Sequence, residues 1–160
     1  MADTRYACVR TDNMTGTVVG SHLVSLRYTD DIENGSLLVI GDYEDNTREV
    51  RAAGIPGAAT PRDRLALIAS EEVVKEVAVN DLFEFINKAG RIMRGYRFAA
   101  NDIFSVTEEA LSEDSAEPEI GQTASISNGS KMRLGAAAAG TTIGTVIAVE
   151  PDGWIVIEVR

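Results

Sequence analysis

Two side chains in the sequence could supply nucleophilic chemistry, the single cysteine Cys8 and the single histidine His22. A cysteine acts as a nucleophile when a neighbouring base holds it as the thiolate, and His22 is the sole imidazole for that role. No Gly-x-Ser-x-Gly motif accompanies the histidine. The pattern is more typical of a half-buried strand histidine and of a cysteine packed as a small apolar side chain.

Two acidic turns, residues 30–34 and 42–46, carry the oxygen ligands that Ca²⁺ prefers. Their members are Asp30, Asp31, Glu33 and Asn34 in the first, and Asp42, Glu44, Asp45 and Asn46 in the second. Neither combines glycine at the sixth position with glutamate at the twelfth, as an EF-hand loop requires. We therefore expect solvated turns. An enzyme or ligand-binding β-barrel that uses Asp31, Asp42 or Asp102 stays open as an alternative.

The remaining motifs predict neither a cofactor nor a metal. The glycines form no phosphate-binding loop, since no Gly-Lys-Ser or Gly-Lys-Thr occurs and none has dinucleotide-binding spacing. One cysteine excludes a disulfide framework and a cysteine-rich zinc site. We therefore expect no catalytic residues and no cofactor.

The charge of the chain disfavours nucleic acid as a partner. Its 25 acidic and 15 basic side chains give a net charge of −10, which repels phosphate backbones. The basic residues are scattered, and the nearest approach to a cluster is Arg91, Arg94 and Arg97. The chain also lacks an apolar run long enough for a membrane span. Its first residues lack the basic start and apolar core of a signal peptide, which indicates synthesis in the cytoplasm.

Most of the chain has the residue pattern of β-strands. Apolar and polar residues alternate over 23–28, and short apolar runs at 36–40 and 65–69 are typical of strands buried on both faces. Residues 48–53 are expected to pair back on the strand before them. In the C-terminal half, Asn128-Gly129 predicts a hairpin, and the turn at 151–153 joins two further strands.

One helix is predicted near residues 81–89. Leu82, Phe85, Ile86 and Ala89 recur at helical spacing, Asn80 or Asp81 would cap the start, and Gly90 would end it. Such a short helix needs to pack on a sheet to persist.

The stretch from Gly95 to Thr107 joins the two halves of the chain. Two aromatic and β-branched runs flank Asn101-Asp102, which predicts a hairpin or a corner between sheets. The chain therefore divides into an N-terminal arm (1–16), which could also be an irregular first strand, a β-rich subdomain (17–94) and a C-terminal β subdomain (95–160) that is barrel- or sandwich-like. The last contains an acidic loop at 108–119, which we expect to be solvated and mobile. The fold class is mostly β, with two small packed subdomains and one short helix.

Several segments resemble the head decoration proteins, or capsid cement proteins, of tailed bacteriophages. They are residues 31–37, 95–98, 101–107, 120–122 and 143–149, and the resemblance extends from about residue 17 to the end. It is a pattern of turns and strands without a chemical signature. It implies a non-enzymatic structural protein that binds the major capsid protein on the outside of the assembled head and stabilises it against internal DNA pressure.

The resemblance also implies a trimer located on the virion, made in the cytoplasm of the bacterial host. The small residues Ala136 to Ala139 and Gly140 could allow close approach around the trimer axis. The resemblance identifies no capsid-contacting residues. Another virion role, as a head-fibre base or a tail component, stays open beside the ligand-binding or enzymatic barrel.

Overall fold

The computed structural model describes residues 5–72, 82–126 and 128–160, and most of its regular structure consists of strands. They are β1 (Val9–Asn13), β2 (Leu23–Arg27), β3 (Leu37–Tyr43), β4 (Val50–Gly54), β5 (Leu65–Ile68), β6 (Ile92–Arg97), β7 (Ile103–Val106), β8 (Thr123–Ile126), β9 (Arg133–Gly135), β10 (Thr141–Val149) and β11 (Ile155–Val159). Three-residue 3-10 turns lie at Thr15–Thr17, Gly20–His22, Arg62–Arg64, Leu82–Glu84 and Glu108–Ala110. The predicted mostly-β class is confirmed. No helix among the described residues is long and apolar enough to cross a bilayer.

Strands β2 to β6 close into a five-stranded barrel in the order β2-β4-β3-β5-β6. Four of the neighbouring pairs are antiparallel, whereas β2 and β4 run parallel, with Ser25 opposite Val50. The predicted pairing of residues 48–53 with the preceding strand is confirmed by β3 and β4. The alternating residues 23–28 form the strand β2 (Leu23–Arg27), and two 3-10 turns precede it.

The other strands form an open six-stranded sheet in the order β1-β7-β11-β10-β8-β9. Strand β1 pairs with β7 in this C-terminal sheet, and Ala7, Cys8 and Met14 around it are buried. Of the two interpretations of residues 1–16, an arm or an irregular first strand, the structure has a strand at Val9–Asn13, with a register shift between Arg10 and Asn13. Their polar strand serves as a sheet edge, where one side needs no partner.

Barrel and sheet are joined by an apolar cluster to which both contribute, and a second cluster fills the barrel. Along β5, Leu65 and Leu67 pack into a cluster with the sheet residues Phe104 and Ile126, while Ala66 and Ile68 fill the barrel interior. Alternate residues of this strand thus face two different cores, as its continuous apolar run predicts. Backbone bonds cross the same junction, from Leu37 N–H to the Ser130 carbonyl at 2.7 Å and from Thr141 N–H to the Ala58 carbonyl at 3.1 Å.

The α-helix predicted near 81–89 does not form in the described part of that range. Residues Leu82–Glu84 make a single 3-10 turn, and Asn87 then forms an isolated antiparallel bridge with Ile32. Helical hydrogen bonding would need the Asn87 N–H and the Phe83 carbonyl, but these groups pair with Ile32 and Tyr6. Gly90 has a φ of +73° and lies in a turn, with no helix before it to end. The proposed caps Asn80 and Asp81 lie outside the described residues, as do the residues 73–75 expected in a loop or strand.

The stretch from Gly95 to Thr107 is a corner between the barrel and the sheet. Its first residues end β6 and its last belong to β7, and Asn101 adopts a φ of +70° in the turn between them. The predicted turn at Asn101-Asp102 is confirmed.

The C-terminal hairpins also form as predicted. Strands β8 and β9 pair around the Asn128-Gly129 turn, whose residue 127 lies outside the described part, and β10 pairs with β11. The acidic segment 108–119 lies along the outer edge of β9. Ser112 and Ala116 donate backbone hydrogen bonds to the carbonyls of Met132 and Leu134, and Leu111 is buried. This segment is held by hydrogen bonds instead of projecting freely, which corrects the prediction of a mobile loop.

Candidate functional surfaces

Cys8 and His22 lie in different parts of the fold. Cys8 is buried beside Thr107, whose hydroxyl oxygen accepts a 3.1 Å hydrogen bond from the Cys8 N–H. His22 ends a 3-10 turn ahead of the barrel strand β2 and is half-buried, with no described partner at its buried Nδ1. The structure therefore agrees with the packed interpretation of Cys8, whereas His22 lies in a 3-10 turn and not in a strand.

The first acidic turn directs its side chains to separate partners. Asp31 accepts 2.8 Å bonds from Lys88 Nζ and the Ala89 N–H, while Glu33 accepts one from the Ala7 N–H at 2.8 Å. The hydrogen bond from Lys88 lowers the pKa of the Asp31 carboxyl, and the Ala89 N–H adds to the effect. Asn34 is buried and bonds to Ser70.

The second acidic turn is a tight reversal between β3 and β4. Asp45 and Asn46 both adopt positive φ, at +51° and +55°, and Glu44 pairs with Arg27 at 2.7 Å. Asparagine and aspartate are the side-chain-bearing residues that tolerate this conformation best. Among the described residues, no group of three or more His, Cys, Asp or Glu side chains is placed to hold a metal ion.

Asp102 has a structural position at the corner between barrel and sheet. Its carboxylate is buried and accepts bonds from the Thr15 N–H, the Thr15 hydroxyl and the Ala99 N–H. Asp42 is exposed on the barrel, and Asp31 pairs with Lys88. The three aspartates considered as enzymatic candidates therefore contact different parts of the protein.

The small residues 136–140 lie in the connection between β9 and β10. Ala136, Ala137 and Ala138 are exposed, but a Cβ on Gly140 would collide with the Ile126 carbonyl oxygen and lie 2.9 Å from the Ala58 Cα. The close approach at Gly140 is thus made within one chain, between barrel and sheet.

An open cavity of about 290 Å³ lies at the rim of the barrel, where β2 and β4 begin and β6 ends. We call it the barrel mouth. Its polar lining comprises Ser21, Ser25, Tyr43, Arg48, Glu49, Arg51 and Arg97, beside the apolar Leu23 and Val24.

The strand register brings two of these arginines to the interior side of the barrel. Arg51 is the cross-strand partner of Leu26, and Arg97 is the partner of Ala66. Both partners belong to the barrel's interior cluster, and cross-strand partners share a face of the sheet. Arg51 and Arg97 are half-exposed, so their strands carry two guanidinium groups to the edge of the apolar interior.

The arginines of the barrel mouth differ from most others in having no carboxylate partner. Ion pairs are formed elsewhere by Arg5, Arg10, Arg27, Arg94, Arg133 and Arg160. Within the described part of the chain, Arg48, Arg51 and Arg97 form none. Arg51 instead donates to the Gly41 carbonyl at 3.2 Å and stacks 4.1 Å from the centroid of the Tyr43 ring. Arg97 donates to the Asp63 carbonyl at 3.4 Å.

Sequence reasoning singled out Arg91, Arg94 and Arg97 as the nearest basic cluster, but only Arg97 lines the barrel mouth. Arg94 points to Glu71. Arg48 and Arg51 come close to Arg97 because β2 pairs with β4 on one side and with β6 on the other. A parallel pairing has no local turn signal, so spacing along the chain could not have revealed this cluster.

Two further cavities lie on the surface. One of about 490 Å³ borders Leu23, Ser25, Ile92 and Arg94, and one of about 240 Å³ lies within the acidic segment. Asp31, Asp42 and Asp102 lie outside the linings of all three cavities.

The chain matches no protein-family model, no curated protein and no solved structure.

Proposed function

We propose that this protein decorates the outer surface of an assembled phage head, binds the major capsid protein and stabilises the shell against the pressure of packaged DNA. The bacterial cytoplasm is the place of synthesis, and the virion is the place of action. The proposal begins from the resemblance of residues 31–37, 95–98, 101–107, 120–122 and 143–149 to head decoration proteins.

The observation that carries the proposal is the apolar cluster to which both the barrel and the sheet contribute. Leu37, Leu65 and Leu67 of the barrel pack with Phe104 and Ile126 of the sheet, and all five are fully buried. Parts of a chain move independently unless their interface is large and apolar, so this junction makes one stiff body. A protein that holds neighbouring capsid subunits together against outward pressure must itself be stiff.

Assembly into trimers belongs to the same proposal. Three linked copies on a lattice multiply the weak affinity of each copy, because the second and third contacts form at high effective concentration. The exposed Ala136, Ala137 and Ala138 leave a small-residue surface for a neighbouring copy, whereas Gly140 is occupied within its own chain.

The experiment uses heads of the phage that encodes this chain, stripped of the protein. Stripped heads are expected to release DNA at a lower temperature than intact heads, and adding the purified protein back is expected to restore the original temperature. Electron microscopy of the restored particles would show its density on the outside of the shell. An unrelated acidic protein of similar size is the control for charge and crowding.

Failure of the protein to rebind the heads would overturn the proposal. Density at the tail or at the base of a head fibre would support the other virion roles instead.

A further inference from the structure

We propose that the barrel mouth is a binding site for a carboxylate, presented by a small organic acid or by an acidic side chain of another protein. The proposal concerns the isolated chain and does not depend on head decoration.

The first argument is the number of free donors at the barrel mouth. Each guanidinium has five N–H donors in a planar fork that fits the two oxygens of a carboxylate. Arg51 and Arg97 each donate one hydrogen bond to a backbone carbonyl. Arg48 makes no side-chain hydrogen bond with a described residue. The three guanidinium groups at the barrel mouth therefore keep most of their N–H donors available for a ligand.

The second argument is that two of these side chains are already held in place. The ring of Tyr43 and the Gly41 carbonyl fix the guanidinium of Arg51, and the Asp63 carbonyl contacts that of Arg97. A ligand then binds groups whose rotamer freedom is already reduced, which lowers the entropic cost of association.

The third argument is the local charge. Three arginines and Glu49 give the lining a positive excess, in a protein whose net charge is −10. The overall negative field repels polyanions such as nucleic acid at long range, but it is screened within about 8–10 Å at physiological salt. A compact group with one or two negative charges is attracted by the arginines of the barrel mouth and is only weakly repelled by the rest of the protein.

The size and lining of the cavity agree with such a ligand. A volume of about 290 Å³ is at the lower end of the range for small-molecule pockets. The hydroxyls of Ser21 and Ser25 can donate to further oxygens, while Leu23 and Val24 provide an apolar wall for a short carbon chain.

The test is a titration of the ¹⁵N-labelled protein with acetate and succinate, which carry one and two negative charges, at low salt and followed by NMR. We expect saturable chemical-shift changes at the amides of residues 21–25 and 48–51, and the binding should weaken as sodium chloride is added.

Arg48→Gln should weaken binding about tenfold or more through loss of charge-assisted bonds. Its side chain has no described partner, so the fold does not depend on it. Arg91→Gln, an exposed arginine outside the barrel mouth, is the matched control and should bind like the parent protein.

A second arm identifies the source of the carboxylate. A short glutamate-rich peptide is compared with its glutamine counterpart and with the free acids in the same titration. Tighter binding of the glutamate peptide assigns the site to a protein partner, and tighter binding of a free acid assigns it to a small molecule. If no carboxylate binds saturably, or if Arg48→Gln and Arg91→Gln behave alike, the proposal is overturned. Either outcome leaves the head-rebinding experiment unaffected.

Discussion

The carboxylate of Asp102 accepts hydrogen bonds of 2.8 Å from the backbone N–H and 2.6 Å from the hydroxyl of Thr15. These bonds join the turn after β1 to the corner that leads from the barrel into the sheet. A third bond, from the Ala99 N–H at 2.9 Å, holds the corner itself. Asp102 therefore fixes two distant segments of the chain at one buried point.

Replacing Asp102 by alanine is expected to lower the free energy of unfolding by about 2–3 kcal/mol, because the donors of Thr15 and Ala99 lose their acceptor inside the protein. Urea unfolding followed by circular dichroism measures the loss. Asp42→Ala, at an exposed aspartate of the barrel, is the control and should change stability by less than about 0.5 kcal/mol. Equal effects of the two substitutions would contradict the structural role of Asp102.

Gly140→Ala is expected to destabilise the protein by about 1–3 kcal/mol, because the added methyl group meets backbone atoms of Ile126 and Ala58 that cannot move aside cheaply. Thermal unfolding measures the effect. Gly20→Ala is the matched control, since no atom lies within 4 Å of its built Cβ. A Gly140→Ala protein of normal stability that no longer forms trimers would instead place this glycine at the trimer axis.

Leu67→Ala tests whether barrel and sheet unfold together. This fully buried side chain lies on a barrel strand and packs into the shared core, so its truncation should cost about 2–5 kcal/mol. Trp154, the only tryptophan, lies next to the sheet strand β11. Its fluorescence should shift to a lower denaturant midpoint in step with the circular dichroism of the whole chain. A tryptophan transition that stays at its original midpoint would show that the two parts unfold separately.

The ion pair of Asp31 and Lys88 is expected to make stability depend on pH in the acid range. The hydrogen bond from Lys88 lowers the pKa of Asp31 in the folded state, so the folded protein binds this proton less readily than the unfolded chain. The contribution is present above the ordinary aspartate pKa of about 3.9 and is lost as the pH falls through the lowered value.

Unfolding midpoints measured from pH 6 down to pH 2 check this expectation. Asp31→Asn should lose less stability on acidification than the parent protein, and Asp12→Asn, at an exposed carboxylate without a described side-chain partner, should follow the parent curve. A parallel decline in all three proteins would mean that Asp31 contributes nothing to the acid sensitivity.

The sequence predicts those parts of the fold that depend on neighbouring residues. Asn128-Gly129 and Pro151-Asp152-Gly153 mark real hairpins, because a tight turn needs particular backbone angles that few residues adopt. Likewise, the apolar run of β5 correctly indicates burial on both faces, since alternate residues of a strand face opposite sides.

The features that the sequence does not predict depend on contacts between distant parts of the chain. The periodicity at 82–89 favours a helix, yet Asn87 pairs with Ile32 and its side chain bonds to the buried amide of Asn34 at 3.0 Å. These buried polar bonds outweigh a weak local preference. The sequence also leaves open whether residues 1–16 form an arm or a strand, because the partner strand β7 follows the whole barrel in the sequence. The barrel mouth depends on strand pairing of this kind as well.

The pairing of β1 with β7 has a consequence for synthesis on the ribosome. The chain emerges in the order β1, barrel, sheet, and the barrel strands from Leu23 to Arg97 are contiguous. The barrel can therefore close while β1 is still without its neighbour. Until β7 and the strands after it follow, Leu65 and Leu67 of the barrel lie open to water. If the barrel closes before the sheet strands emerge, we expect the nascent protein to display this apolar face, and a chaperone that binds exposed apolar surface would recognise it.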